Sequence, residues 1–331
     1  TEEARTDPAR AGNATWGDYL AACGLDREEV LRGHLNWWRQ KIVDEDASML
    51  VADCAPTALW AAQGLKAEGW EIETLSVGTG YGLPPARLPQ FPVLLPDYDR
   101  RVTDEAAMLA TLNRLAVEED LPPLATLPAL ATADREIAFT LPVLDPYAGA
   151  RRAEEVFVPL LSPLPPVATG AGGEVFVYFS RRELDDPALI DALVELPYPK
   201  RGFLPGAGPE ALKQLRAGGM IIESAPLSAT EIAARARLVI GAGQHGLLSL
   251  SLLCGLPQVA LPQHLEQLFH SRRAEALGCL RLLPFDQRRK EDILAAFDQA
   301  WHDPRLAATA RAMAHELRPA YPADPATALA E

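Results

Sequence analysis

Residues 238–262 carry no Asp, Glu, Lys or Arg. A stretch so poor in charge has two physical homes, a lipid bilayer or the interior of a folded domain. A spanning helix needs about 20 apolar residues in succession. This run is broken by Gly241, Gly243, Gln244, His245, Gly246, Pro257 and Gln258, which a lipid-facing helix accommodates poorly. The same breaks fall where a buried strand (238–240) would turn through glycines into a buried helix (247–254). A second turn at Gly255-Leu-Pro257 leads to another strand (258–261). The segment therefore reads as the centre of an α/β sheet covered on both faces, with no transmembrane span.

The flanking sequence fits that reading. Strands are expected at 174–179, 220–223, 238–240 and 258–261, and helices at 187–195, 209–218, 230–237, 247–254, 267–277 and 290–301. Strands alternating with helices predict a parallel sheet. The Pro/Gly-rich run 159–173, with Pro163, Pro165 and Pro166, holds neither a helix nor a central strand and reads as a linker. Before it the style repeats, with strands at 47–52, 71–77 and 136–141 and helices at 55–68 and 104–119. The expected organisation is an α/β domain over 1–158, the linker 159–173, a second α/β domain over 174–318 and a tail over 319–331, with a cleft between the domains.

Composition excludes several classes. With 331 residues, 48% of them hydrophobic, the chain can bury a sizeable core. Lys+Arg total 31 against Asp+Glu 45, a net charge of −14. Such an acidic chain has no sequence-wide attraction to nucleic acid or an anionic membrane surface. The four cysteines, Cys23, Cys54, Cys254 and Cys279, follow no metal or disulfide spacing and fit a reducing, cytoplasmic compartment. No signal-peptide pattern is visible at Thr1, and the Ala, Arg, Leu and Pro bias is that of a GC-rich bacterial gene.

Chemistry concentrates at the glycines. A strand ending near Ile240 and turning through Gly241, Gly243 and Gly246 exposes backbone N–H groups at a helix N-terminus, where a phosphate can be held, and His245 can add a donor. Such turns are also common as mere tight connections. The next strand delivers Glu266 and Gln267 at its carboxyl end, on the rim where ligands of parallel sheets bind. A carboxylate beside an amide suits sugar hydroxyls, which both donate and accept.

The order Ser224-Ala-Pro-Leu-Ser228, the turn 236–246, Gly255-Leu-Pro257 and Pro262-Gln-His-Leu-Glu-Gln267 resembles the nucleotide-sugar-dependent glycosyltransferases of the UDP-glucuronosyltransferase superfamily. The resemblance spans most of the C-terminal half and extends to Leu50-Val-Ala-Asp53 and to the loop 78–85. It implies two facing Rossmann-like domains, the GT-B fold, with an N-terminal domain incomplete at its start by about 60–90 residues. It implies inverting, metal-independent transfer of a sugar from a UDP- or dTDP-type donor, a co-substrate rather than a cofactor, to a hydroxyl of a small or lipid-like acceptor.

Residue by residue, the resemblance gives Ser224 and Ala225 to the nucleobase turn, with Ser224 in place of a stacking Trp. Gly243, His245, Gly246 and Ser249 fall to the diphosphate turn and its helix, Glu266 and Gln267 to the sugar clamp, and Ser180 to a loop near the diphosphate. Asp53 matches the residue that orients a catalytic His; a helix N-cap is the alternative role for it. Gly78 and Tyr81 fall on the acceptor side. The family's diphosphate-contacting His is replaced by Ala242 and its ribose-holding Glu by Leu250. These two departures favour the alternative, a catalytically degenerate homologue serving as a binding or auxiliary protein. His34, Trp37, Trp38 and Trp60 read as structural, and Arg181-Arg182 as a solvated basic pair that can also draw in an anionic donor.

Overall fold

The structure, a computed structural model, describes residues 14–161, 164–180, 182–284, 288–322 and 325–330. The chain divides into two compact units, 1–157 and 158–331.

The first unit opens with α1 (Trp16–Ala22) and α2 (Glu28–Asp44). There follow β1 (Met49–Asp53), α3 (Pro56–Ala67), β2 (Glu73–Gly78), α4 (Glu105–Glu118), β3 (Arg135–Phe139) and β4 (Val156–Phe157). The four strands are parallel, in the order β1-β2-β3-β4. Helix α2 buries Leu31, Leu35 and Ile42 along one stripe, the spacing of an amphipathic helix. Helix α3 packs on both α2 and β1, so it is apolar on nearly every side, from Thr57 to Leu65. Asp104 caps α4 by accepting from the N–H groups of Ala106 and Ala107, both at 3.0 Å. The core gathers Leu31, Leu35, Trp60, Leu112, Leu115 and Leu130.

The second unit contains β5 (Glu174–Tyr178), α5 (Pro187–Glu195), β6 (Lys200–Phe203), α6 (Pro209–Ala217) and β7 (Met220–Ile222). It continues through α7 (Ala229–Arg235), β8 (Ala236–Gly241), α8 (His245–Cys254), β9 (Gln258–Ala260), α9 (Leu265–Ala276) and β10 (Leu280–Leu282). Helices α10 (Lys290–His302), α11 (Pro304–Leu317) and α12 (Pro325–Ala330) complete it. All six strands are parallel, in the order β7-β6-β5-β8-β9-β10. Chain order reverses between β5 and β8, the doubly wound pattern of a dinucleotide-binding fold. The charge-free run becomes β8, α8 and β9; every residue of α8 except Gly246 is buried, as befits a helix that is apolar all round. Gly255 ends it in the left-handed conformation at φ 70°.

Three short strands fall where none is expected from the sequence. In β6, Lys200 is buried, and its ammonium group donates to Leu196 O at 2.5 Å, just past α5; Arg201 beside it pairs with Glu174 at 2.8 Å and with Glu223. Strand β10 is only three residues long and β4 two. The run 159–173 forms no helix or strand in its described residues; Ser162 and Pro163 lie outside them. It is fixed to the end of the chain. Tyr321 is buried, its hydroxyl donating to Pro159 O at 2.6 Å and accepting from Leu161 N–H at 2.8 Å. Arg318 donates to Pro165 O at 2.7 Å and Leu253 O at 3.0 Å. Among the described residues, no helix is long and apolar enough to cross a membrane.

Candidate functional site

In the second unit three loops meet at the carboxyl ends of neighbouring strands. Tyr178 pairs with Gly241 and Gly241 with Ala260, so the residues after β5, β8 and β9 lie side by side at the reversal point. Half-buried Ser180 stands on the first loop. The second is 242–244, leading into α8. The third leads into α9, where Glu266 and Gln267 occupy the first turn. The structure thus brings together Ser180, the glycine turn and the Glu266–Gln267 pair. Ser224 and Ala225 sit in an exposed bend after β7, with β6 between their strand and β5.

The glycines divide by role. Gly243 has φ +81°, and a Cβ there would lie 2.2 Å from Ser271 Oγ and 3.1 Å from Gln267 O. The turn is therefore pressed onto α9, and only glycine fits. At Gly241 a Cβ would come within 2.8 Å of Leu247 Cδ2. Gly246 is exposed and a Cβ would meet nothing within 4 Å. Open space at the second residue of a ten-residue helix is where an anion can reach first-turn N–H groups. Gln244 at the N-cap gives those amides no side-chain hydrogen bond; its Oε1 accepts from Ala242 N–H at 2.9 Å instead.

Burial changes the reading of other residues. His245 is buried, and loss of solvent pushes its imidazole down to about 4. At neutral pH it is a neutral hydrogen-bonding ring, not a cation. Its ring lies 5.0 Å from that of His270, which is fully buried and also held well below the ordinary histidine range, by burial and then by His245 and His264. The sequence positions of His245 and His270 give no sign of this tilted pair. Ser249 is fully enclosed, its hydroxyl without a hydrogen-bond partner among the described residues. Leu250 packs in a core cluster with Phe176 and Val239. Gln267 is buried and its Oε1 accepts from Gln263 N–H at 2.7 Å, while Glu266 is half-buried. Arg181 and the side chain of Arg182 lie outside the described residues.

In the first unit Asp53 ends β1 and is exposed. It does not cap α3: the N-cap is Ala55, and no side chain bonds to the helix start. A Cβ on Gly78 would lie 3.7 Å from Asp53 Oδ1, so the structure places these two candidates side by side. Half-buried Tyr81 accepts at its carbonyl from Trp16 Nε1, 3.0 Å away. Sequence reasoning missed the adjacent pocket. A narrow cavity of about 30 Å³ is lined by Trp16, Leu20, Leu59, Phe91, Leu127 and Leu130, with Cys54, Ser76 and the loop residues Gly82, Leu83 and Pro84. These apolar positions are scattered from residue 16 to 130, and no local pattern joins them. Trp60 is fully buried and donates to Pro122 O at 3.1 Å; Trp37 stands exposed on α2, as does His34. Among the described residues, no group of three or more His, Cys, Asp or Glu is arranged to hold a metal ion.

No family model matches the sequence, and no curated protein does. Solved structures do. CalG4, the calicheamicin glycosyltransferase, is 17% identical, with 92% of this chain and 78% of that chain covered at a TM-score of 0.66. The spinosyn rhamnosyltransferase SpnG complexed with thymidine diphosphate is 20% identical over 92% of this chain and 81% of that one, TM-score 0.58. The Streptomyces sp. SF2575 glycosyltransferase SsfS6, complexed with thymidine diphosphate, is 17% identical over 95% and 77%, TM-score 0.58. The likeness is one of fold: this chain has the α/β fold of the GT-B glycosyltransferases.

Proposed function

We propose that the chain is a cytoplasmic glycosyltransferase of the UDP-glucuronosyltransferase type. It would transfer a sugar, with inversion and without a metal, from a UDP- or dTDP-type donor to a hydroxyl of a small or lipid-like acceptor. The observation that carries this reading is the open face at Gly246, at the start of α8 and at the reversal point of a doubly wound sheet. First-turn amides there would hold the diphosphate and take up the negative charge it gains as the glycosidic bond breaks. Neutral His245 adds hydrogen-bonding capacity rather than charge. Half-buried Glu266 and buried Gln267, side by side in the first turn of α9, are the candidates for the sugar hydroxyls, the Gln267 carboxamide oxygen also accepting from Gln263 N–H. Asp53, exposed beside Gly78, is available to orient a base that takes the acceptor proton. The apolar cavity, at about 30 Å³, would take a small apolar group of an acceptor rather than the whole molecule. The thymidine diphosphate bound to SpnG and SsfS6 favours dTDP as the first nucleotide to try.

A second reading, a binding protein without transfer activity, is favoured by the burial of Leu250 in the core, where it offers a ribose nothing. Calorimetric titration of the intact chain with dTDP, UDP, GDP and ADP separates the possibilities. The expected result is micromolar binding of dTDP or UDP, followed by sugar transfer from the matching donor. Binding without transfer to any hydroxyl acceptor supports the second reading, and no binding to any of the four sinks the nucleotide site itself. Gly246→Glu provides the internal check. Its side chain enters open space, so the melting temperature stays put, while a carboxylate at the anion position weakens nucleotide binding by about tenfold or more.

A further inference from the structure

The loop 79–84 has no helix or strand of its own, yet it supplies Gly82, Leu83 and Pro84 to the apolar pocket. What shapes it is a buried ion pair. Arg151 and Asp145 have side chains exposed by only 1% and 0%, with Nε 2.8 Å from Asp145 Oδ2. Arg151 Nη2 then donates to two loop carbonyls, Gly80 O at 2.9 Å and Leu83 O at 2.5 Å. Its guanidinium also lies 5.4 Å from the centroid of the Tyr147 ring. Gly80, at φ +88°, lets the loop come so close: a Cβ there would stand 3.1 Å from Thr140 Cγ2 and 3.2 Å from Asp145 Oδ1. Beyond the loop, Arg87 makes a two-pronged contact with Glu155, both distances 2.7 Å.

A buried ion pair is a costly way to fill space, since both charges give up their water. The planar guanidinium fork gives something an apolar residue cannot, simultaneous donation to a carboxylate and to two backbone carbonyls. We propose that Arg151 is a positioning residue for the acceptor: anchored by Asp145, it holds loop 79–84 in place as one wall of the apolar pocket and so fixes the pocket's width. This rests on the acceptor-side reading of that pocket. Arg151 touches no reacting atom in this scheme and acts through the loop.

The test uses the full chain with two variants. Arg151→Lys keeps a positive charge beside Asp145 but lacks the fork. The double variant Arg151→Gln/Asp145→Asn removes both charges and keeps a hydrogen-bonding amide at each position, so that no lone buried charge unfolds the unit. Hydrogen exchange of the 79–83 amides is measured against that of the strand amides, and thiol titration of buried Cys254 and Cys279 reports unfolding. The expected result is at least tenfold faster loop exchange in the double variant. The lysine variant falls between, and exchange in β1, β2 and β3 is unchanged. Unaltered loop exchange in the folded double variant overturns the proposal. So does exchange that rises equally across the strands, which would make Arg151 a stability residue only. Nucleotide titration of the unmutated chain is run alongside; failure there removes the transferase reading and leaves the role of Arg151 to be decided by the loop.

Discussion

His245 shows how one residue's environment sets both its chemistry and its cost. In the unfolded chain its imidazole titrates near 6.5, and in the folded protein burial pushes it down to about 4. Between those values the unfolded state binds more protons than the folded one, so stability falls as pH falls. The contribution of a neutral His245 is complete above pH 6.5 and is lost on the way down to pH 4. A gap of that size corresponds to about 3 kcal/mol at most, each unit being worth about 1.4 kcal/mol. His270, shifted in the same direction and in ring contact with it, steepens the loss. Urea unfolding at pH 7.5 and 4.5 should show the drop, and His245→Gln should flatten it by about 1–3 kcal/mol. An equal drop in that variant would place the acid sensitivity elsewhere. The sequence shows His245 beside three glycines, which suggests a ligand donor; only packing shows that it is enclosed and neutral.

The elements most legible in the sequence are those whose burial is uniform. Helix α8, predicted at 247–254, occupies His245–Cys254, and α5 falls on 187–195 as expected. Strand β6 was not legible, because Lys200 and Arg201 read as surface until their partners, a helix-end carbonyl and two carboxylates, are known. Strand β1 is a subtler case. Its sequence Met49-Leu-Val-Ala-Asp53 reads as buried throughout, but it is an edge strand with Met49 and Val51 more than half exposed on one face and Ala52 buried on the other. Alternation by two makes a sharp contrast. Val51→Lys should change stability by no more than about 0.5 kcal/mol, whereas Ala52→Lys buries an unpaired charge and should cost several kcal/mol or prevent folding. Thermal melts of the two variants decide it. Comparable losses would mean that β1 is covered on both faces in solution.

At the scale of the whole molecule, the chain divides into units 1–157 and 158–331, and the Pro/Gly run read as a linker belongs to the second of them; its attachment there was not legible. A proline-rich segment can be read from its composition; the tyrosine 160 residues away that holds it cannot, because a single phenol at Tyr321 makes no pattern. The consequence is that 319–331 is no dispensable tail. Tyr321 satisfies Leu161 N–H and donates to Pro159 O, and Arg318 binds the carbonyls of Pro165 and Leu253, the latter at the end of α8. Removing 318–331 strands these backbone groups and uncovers the buried Tyr321 site. Hydrogen bonds left unmade at partly buried groups cost about 1–3 kcal/mol each, and the losses fall on a unit whose total stability is about 5–15 kcal/mol. A fragment spanning 158–331 has its own sheet and core, so it should fold alone and bind the nucleotide within about threefold of the full chain's affinity. The fragment 158–317 should melt about 6–12 °C lower, the shift expected for about 3 kcal/mol in a unit of this size. Equal melting of the two fragments would show that the segment after Leu317 does not hold the linker. Folding of 158–331 with lost nucleotide affinity would instead show that the site depends on the first unit.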